Sequence, residues 1–532
     1  MTFTDRINER RKTFKNIGDV DEVRRRREVE TVQIRKKEKD EQLAQRRKLI
    51  ELSSDIPGTT VCFGSVPICA CMYFVVIFCE FLASIPKLAA SLMSTDPMTI
   101  AEASIAIRKI LSVDRTPPID QVLKVPGILD RMRELLTDFR HPNTQLEVCW
   151  ALTNIASGTR EQTSAVVDSG VVPFIVKLLE SDNEDLQEQA VWAIANIAGD
   201  RVEYRDGCIA AGTLGALCMI IEKSMVTPSK LQLLRLSVWG LSNMFRGEGV
   251  GKNLIAPTLP ILSKVVVQSN DTEVLADAAW ALSYLTVDDA AVIDVIPLSR
   301  LMTLLAHPSS AVHVPTLRVV GNLLSGDSAV AQKIMAENVL FHLKNLLGSH
   351  KKSIRKESLW AISNICADSQ GNLQRVINST GLMQMVMEVA RTGSMDIRVE
   401  AIWSVCNACM IGSRSQLEQL ENEFEIIQCL CIFLESARDT KSLKTVLDSI
   451  FKLLCSVESS EDLLQSFTDT IEECGGMIQI ENLQHDESEE VYESCVKILE
   501  RFFSVEAEQE NYAPSKATRL LVPRDSDVAR SG

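Results

Sequence analysis

The sequence predicts an all-α protein, a solenoid of about ten stacked helical repeats, and three observations carry that prediction. All six tryptophans, Trp150, Trp192, Trp239, Trp280, Trp360 and Trp403, fall on one ladder with separations of 42, 47, 41, 80 and 43 residues. The long gap hides one missing rung, which Arg318 fills at the aligned position. Four residues after each rung stand Asn154, Asn196, Asn243, Tyr284, Asn322, Asn364 and Asn407 in turn. A period near 42 built from helical segments is the mark of stacked repeats, in which each unit buries its apolar face only against its neighbours. Composition agrees: 46% of residues are apolar but only 5% aromatic, which suits a helical protein rich in Ala, Leu, Ile and Val. At 532 residues the chain exceeds one ordinary globular core, and a solenoid escapes that limit by adding interfaces.

The elements follow in order. Residues 1–52 form a basic arm: over the first 50 residues 16 Lys/Arg face 10 Asp/Glu, whereas the remainder carries a net charge of −21 within a total of −15. Residues 24–48, RRRREVETVQIRKKEKDEQLAQRRK, lack Gly and Pro and read as a helix or a segment that becomes one on binding. Its basic clusters are Arg24, Arg25, Arg26 and Arg27, then Arg35, Lys36 and Lys37, then Arg46, Arg47 and Lys48. Interleaved acids such as Glu28, Glu30 and Glu38 point to a helical protein ligand, and the acidic body repels phosphates, so no nucleic-acid partner is expected.

Residues 53–83 read as a linker with an apolar insertion. Positions 56–79 contain no charged side chain and include ICACMYFVVIFC at 68–79. Length and hydropathy make this a candidate membrane span. Pro57, Gly58, Gly64 and Pro67 leave about a dozen uninterrupted apolar residues, fewer than a span needs, so an insertion in a linker is the preferred reading and a membrane partner is not expected.

The solenoid is expected over residues 84–505. A first unit carries SIAIRKILS at 104–112 with Arg108 in the rung slot. Seven rung helices follow, from TQLEVCWALTNIAS at 144–157 to IRVEAIWSVCNACM at 397–410. Two less regular units, around 424–456 and 468–504, complete the array, and 506–532 reads as a disordered polar tail.

On a helix, Trp and an Asn four residues later lie about 40° apart and project from one face. Six buried amides would each need a partner or cost about 1–3 kcal/mol, so an open groove is expected. Its amides would hold the main chain of an extended peptide. Neighbouring indoles would form parallel slots for Lys and Arg stems. Acidic groups including Asp200, Glu273, Asp277, Glu357 and Glu400 would meet the cationic heads. Replacement of Asn by Tyr284 and of Trp by Arg318 divides the ladder into two grooves.

No catalytic site is expected: none of the six His sits beside a motif-like Ser, Cys or Asp, and no phosphate-binding Gly loop occurs. No cofactor and no metal are expected. The CxxC of Cys406 and Cys409 continues a helical pattern and reads as packing.

WALTNIASG at 150–158, WAIANIAGD at 192–200, EVLADAAWALSYLT at 273–286, WAISN at 360–364 and the arm sequence resemble importin α, the armadillo-repeat adaptor of nuclear import. The resemblance covers nearly the whole chain except residues 56–83 and the tail. It implies a right-handed superhelix shuttling between cytoplasm and nucleus, with an arm that docks on importin β and otherwise occupies the groove as a cargo mimic through Arg46 and Arg47. It implies cargo with basic nuclear localisation signals in a major groove of Trp150, Asn154, Ser157, Gly158, Thr163, Trp192, Asn196, Asp200, Trp239 and Asn243. Gly158, Thr163 and Asp200 match its Lys pocket. A minor groove would use Arg318, Asn322, Glu357, Trp360, Asn364, Glu400, Trp403 and Asn407. The closing repeat at 471–503 resembles the one bound by the nuclear export receptor for recycling. Departures are the apolar insert, GDS at 326–328 and MIGS at 410–413. Competing readings are an armadillo scaffold, which should lack the basic arm, and a membrane-anchored peptide receptor.

Overall fold

Helix punctuation is written into several repeats. Asn183 accepts a hydrogen bond from the Leu186 amide (3.2 Å), and Asp271 does the same for Val274 (3.1 Å), so side-chain oxygens satisfy amides that open a helix without partners. Pro97 and Pro142 stand in the first turn of their helices, where the missing N–H costs nothing. The computed structural model describes residues 84–112, 117–247, 249–286 and 295–503, and no strand occurs among them.

Ten inner helices carry the rung positions and their equivalents among the described residues. We number them α1 (Pro97–Leu111), α2 (Pro142–Ala156), α3 (Glu184–Ala198), α4 (Leu231–Met244), α5 (Thr272–Leu285), α6 (Ser310–Leu324), α7 (Lys352–Cys366), α8 (Met395–Ile411), α9 (Thr440–Val457) and α10 (Glu489–Phe502). Each packs against the next along the whole series, which is the one-dimensional stacking that a repeat of this period requires. Shorter outer helices complete the units: Arg160–Asp168 and Val172–Leu178, for example, lead into α3.

One continuous apolar core runs between the layers, from Ile85 to Ile498. Ala190, Ala193, Ile194 and Ile197 of α3 are fully buried within it. Small side chains let neighbouring inner helices approach closely. One close approach is at Gly321 of α6, where an added Cβ would fall 2.2 Å from Cζ3 of Trp360.

Cys406 and Cys409 belong to this core. Burial pushes the Cys406 thiol up to about 12 and that of Cys409 well above its ordinary value, the behaviour of packing residues. No single helix among the described residues is long and apolar enough to cross a membrane; the bent pair Val202–Ala210 and Thr213–Met225 passes by length and composition, with a 74° break. The arm, the apolar insert at 56–79 and the tail lie outside the described residues.

The contact at Gly321 predicts that Gly321→Ala forces Trp360 out of place. A loss of about 1–3 kcal/mol is expected, to be read as a lower midpoint in urea unfolding.

Candidate peptide-binding groove

α2, α3, α4, α7 and α8 each present a Trp and an Asn one turn apart on a shared face, with Tyr284 replacing the Asn on α5 and Arg318 the Trp on α6. Trp150, Trp239, Trp360 and Trp403 are half-buried, while Trp192 and Trp280 keep only 4% and 6% of their surface. The asparagines are buried throughout, between 1% exposed at Asn196 and 8% at Asn322. The open amides expected from sequence are therefore corrected.

Their burial has a structural partner. Asn243 Nδ2 donates to the carbonyl of Ala195 (3.0 Å), Asn322 to Ser283 (2.8 Å), Asn364 to Gly321 (2.9 Å) and Asn407 to Ser363 (2.9 Å). In every case the acceptor is the residue just before the matching Asn or Tyr of the preceding repeat. Asn154 varies the theme and donates to Oγ of Ser112, which fills the matching position itself (3.0 Å). A carbonyl has two lone pairs, so Gly321 accepts both from Ser325 within its helix (3.0 Å) and from Asn364 across the interface. The amide that sequence assigned to a ligand is also an inter-repeat staple. Asn196 departs from the pattern: both its polar atoms are buried without a hydrogen-bond partner among the described residues. Asn407 Oδ1 is in the same position.

The indoles are not arrayed as parallel plates. Trp192 and Trp239 touch, with ring centroids 5.9 Å apart and planes tilted by 58°. Trp280 stacks on Tyr284 of its own helix at 6.3 Å and 24°.

Two slots already hold cations of the chain itself. The Arg108 guanidinium carbon lies 4.6 Å from the centre of the Trp150 ring, and its Nε donates to Glu147 at 2.7 Å. Arg318 also lies between a ring and an acid, but its ring is the preceding rung, Trp280 (5.4 Å), while its acid, Glu357 (3.1 Å), belongs to the following repeat. In both cases the carboxylate stands 39 residues after the arginine, three before the next rung. Glu357 is only 3% exposed and serves Arg318, so its expected role as an open receptor of ligand charge is corrected. Sequence reading missed this pairing, although the signal was available: wherever an Arg replaces the rung Trp, a Glu stands three residues before the following rung.

The remaining predicted residues fall as follows. Ser157 donates to the Asn154 carbonyl (2.8 Å) and closes α2. Thr163, 1% exposed, donates to Ala156 and Thr159 carbonyls (both 3.2 Å), beside the exposed Gly158. Asp200 pairs with Arg201 (3.3 Å), and no hydrogen bond joins it to Thr163 among the described residues. Glu273 pairs with Arg235 (3.3 Å). Glu400 is half-buried on α8, one turn before Trp403. Arg24 to Arg27, Arg35 to Lys37 and Arg46 to Lys48 lie outside the described residues. No group of His, Cys, Asp or Glu among the described residues is arranged to hold a metal.

Comparison with known proteins now bears on this geometry. Armadillo/beta-catenin-like repeats match residues 116–157, 159–199 and 327–367, and an atypical Arm repeat matches 465–515. The importin beta binding domain matches residues 10–62. The crystal structure of an engineered protein superposes with a TM-score of 0.67 at 24% identity, covering 79% of this chain and 99% of that one, a likeness of fold. Stacked armadillo repeats joined to an importin β-binding segment define an armadillo-repeat transport adaptor, not an enzyme. Importin subunit alpha-1a of Oryza sativa subsp. japonica is 38% identical over 94% of this chain and 93% of its own length. Importin subunit alpha-4 of Arabidopsis thaliana is 38% identical over 94% and 92%. The chain belongs to the importin subunit alpha family, and is a nuclear import adaptor that joins cargo to importin β. The scaffold reading is not favoured, since the arm it should lack is the part that matches the importin beta binding domain.

Removal of the carboxylate from the Arg318 pair takes an ionic partner from a nearly buried guanidinium. Glu357→Gln is expected to lower stability by about 3 kcal/mol, whereas Glu273→Gln, more than half exposed, should shift it by less than about 0.5 kcal/mol. Paired urea titrations check both.

Proposed function

We propose that the rung face binds extended basic peptides, the nuclear localisation signals of cargo, in a major groove over Trp150, Trp192 and Trp239 and a minor groove over Trp360 and Trp403 with Asn322. One observation carries this reading: Arg108 sits between an indole and a carboxylate, and Arg318 does so again five repeats on. The chain's own cations adopt the arrangement proposed for a ligand's Lys or Arg, with the stem or guanidinium on the ring and the charge on an acid. The staples engage the Nδ2 side of each amide, once at Asn364 (2.9 Å) and twice at Asn322 (Ser283 carbonyl, 2.8 Å; Thr286 Oγ1, 3.2 Å), and a peptide backbone would meet what the amide presents beyond them. Asn196 has neither polar atom satisfied within the described residues, so its amide is the one a ligand's main chain would relieve most.

The opposition of a basic arm and an acidic body supports autoinhibition. A tethered cluster at Arg46, Arg47 and Lys48 competes for the groove at an effective concentration on the order of millimolar, until importin β removes it. The arm occupies residues 1–52, the linker 53–83, the solenoid 84–505 and the tail 506–532. The acidic closing repeat at 471–503 receives the export receptor, and the adaptor shuttles between cytoplasm and nucleus. Nucleic acid is not a partner, because a body of charge −21 repels phosphate.

Calorimetry with a basic signal peptide tests the groove. Trp192→Ala and Asn196→Ala should each weaken binding about tenfold or more, and Trp403→Ala far less; unchanged affinity in the first two rejects the assignment. Deleting residues 1–50 should raise peptide affinity and abolish importin β binding in a pull-down. If neither changes, the arm has no such role.

A further inference from the structure

The ladder begins with an arginine, and its environment is more specific than that of a surface charge. The Arg108 side chain is 10% exposed and that of Glu147 is 17%. Two nitrogens of the guanidinium face the two oxygens of the carboxylate, Nε to Oε2 at 2.7 Å and Nη2 to Oε1 at 3.5 Å. The same guanidinium covers the face of Trp150 that looks toward the first repeat. One turn on, Ser112 donates to the Arg108 carbonyl (2.8 Å) and accepts from Asn154 (3.0 Å), so the first Asn position is satisfied as well. The next interface differs. Gln189 takes the place that Glu147 holds and donates to Thr153 Oγ1 (3.2 Å), and among the described residues no ion pair occupies the slot between Trp150 and Trp192.

We infer that Arg108 is a built-in end stop, a specificity-determining residue that fills the first cation slot of the groove and so fixes how many consecutive basic side chains a bound peptide can engage. The inference rests on the groove reading of the previous section and adds the boundary to it. A cation arriving at the outer face of Trp150 meets a like charge already paired, so it gains nothing. With Arg108 removed, the indole face of Trp150 and the Glu147 carboxylate, both on α2, form a vacant slot for a cation.

The test uses the full chain and three synthetic peptides: a core of five lysines flanked by Gly-Ser, the same core with one extra Lys at its N-terminal end, and the same with one at its C-terminal end. The ratio of extended to core affinity on one protein cancels any competition from residues 1–52. In the unsubstituted protein neither extension should tighten binding more than about twofold. In Arg108→Ala one extension, the one reaching the first repeat, should tighten it about 3- to 10-fold, and Arg108→Ala combined with Glu147→Gln should lose that gain. Arg108→Gln, which keeps the stem and a donor to Glu147, should show a smaller gain and covers the case that the alanine variant unfolds its repeat. An extension that gains equally with Arg108 in place overturns the end stop, as does the absence of gain in both variants while the core still binds. Failure of the core peptide to bind any of these proteins overturns the groove reading itself.

Discussion

No repeat of this chain can bury its apolar face alone, and the interface between consecutive inner helices is therefore the constraint on which everything else depends. Hydrophobic burial draws α1 to α10 into a stack, but apolar contact is non-directional. The carboxamide staples supply direction. A hydrogen bond from each of Asn243, Asn322, Asn364 and Asn407 to the carbonyl one position before its counterpart fixes both rotation and height of one unit against the last. Gly321 admits the Trp360 ring against α6 in the same way, by omitting a side chain where the neighbour must enter.

A structural device repeated at a constant offset is also a ruler for ligands. Because the staples hold successive rungs in register, indoles and amides recur at intervals set by the stack rather than by local loops. An extended peptide has its own regular rise, about 3.3 Å per residue, so regular rungs suit main-chain recognition with side chains sorted into slots. Arginines stand in place of Trp at the first and sixth rung positions, Arg108 and Arg318, and break this regularity. The charge distribution acts at longer range: an acidic solenoid attracts cationic strands, its own arm among them.

The fold was legible because repetition makes a weak signal strong. One Trp is ambiguous between core and surface; six on one spacing, five of them with Asn four residues on, could only come from stacked helices. The shared face of each Trp and Asn was legible by the same route, since a helical offset of four guarantees it whatever the tertiary context. Exposure was misjudged for a physical reason. The cost of burying an amide was weighed against solvent, whereas the competing partner was a carbonyl some 40 residues earlier in sequence, which acquires a second donor only when two repeats meet.

Periodicity, helix punctuation and charge asymmetry are local or compositional properties, so the sequence by itself determined the helical stack, the ladder and the opposition of arm and body. Tertiary structure alone decided which polar groups are spent internally: that Asn243, Asn322, Asn364 and Asn407 bind the repeat before them while Asn196 does not, and that Glu147 and Glu357 hold arginines of this chain. Those outcomes turn on distances of about 3 Å between side chains from different repeats, and such distances exist only after the units have packed.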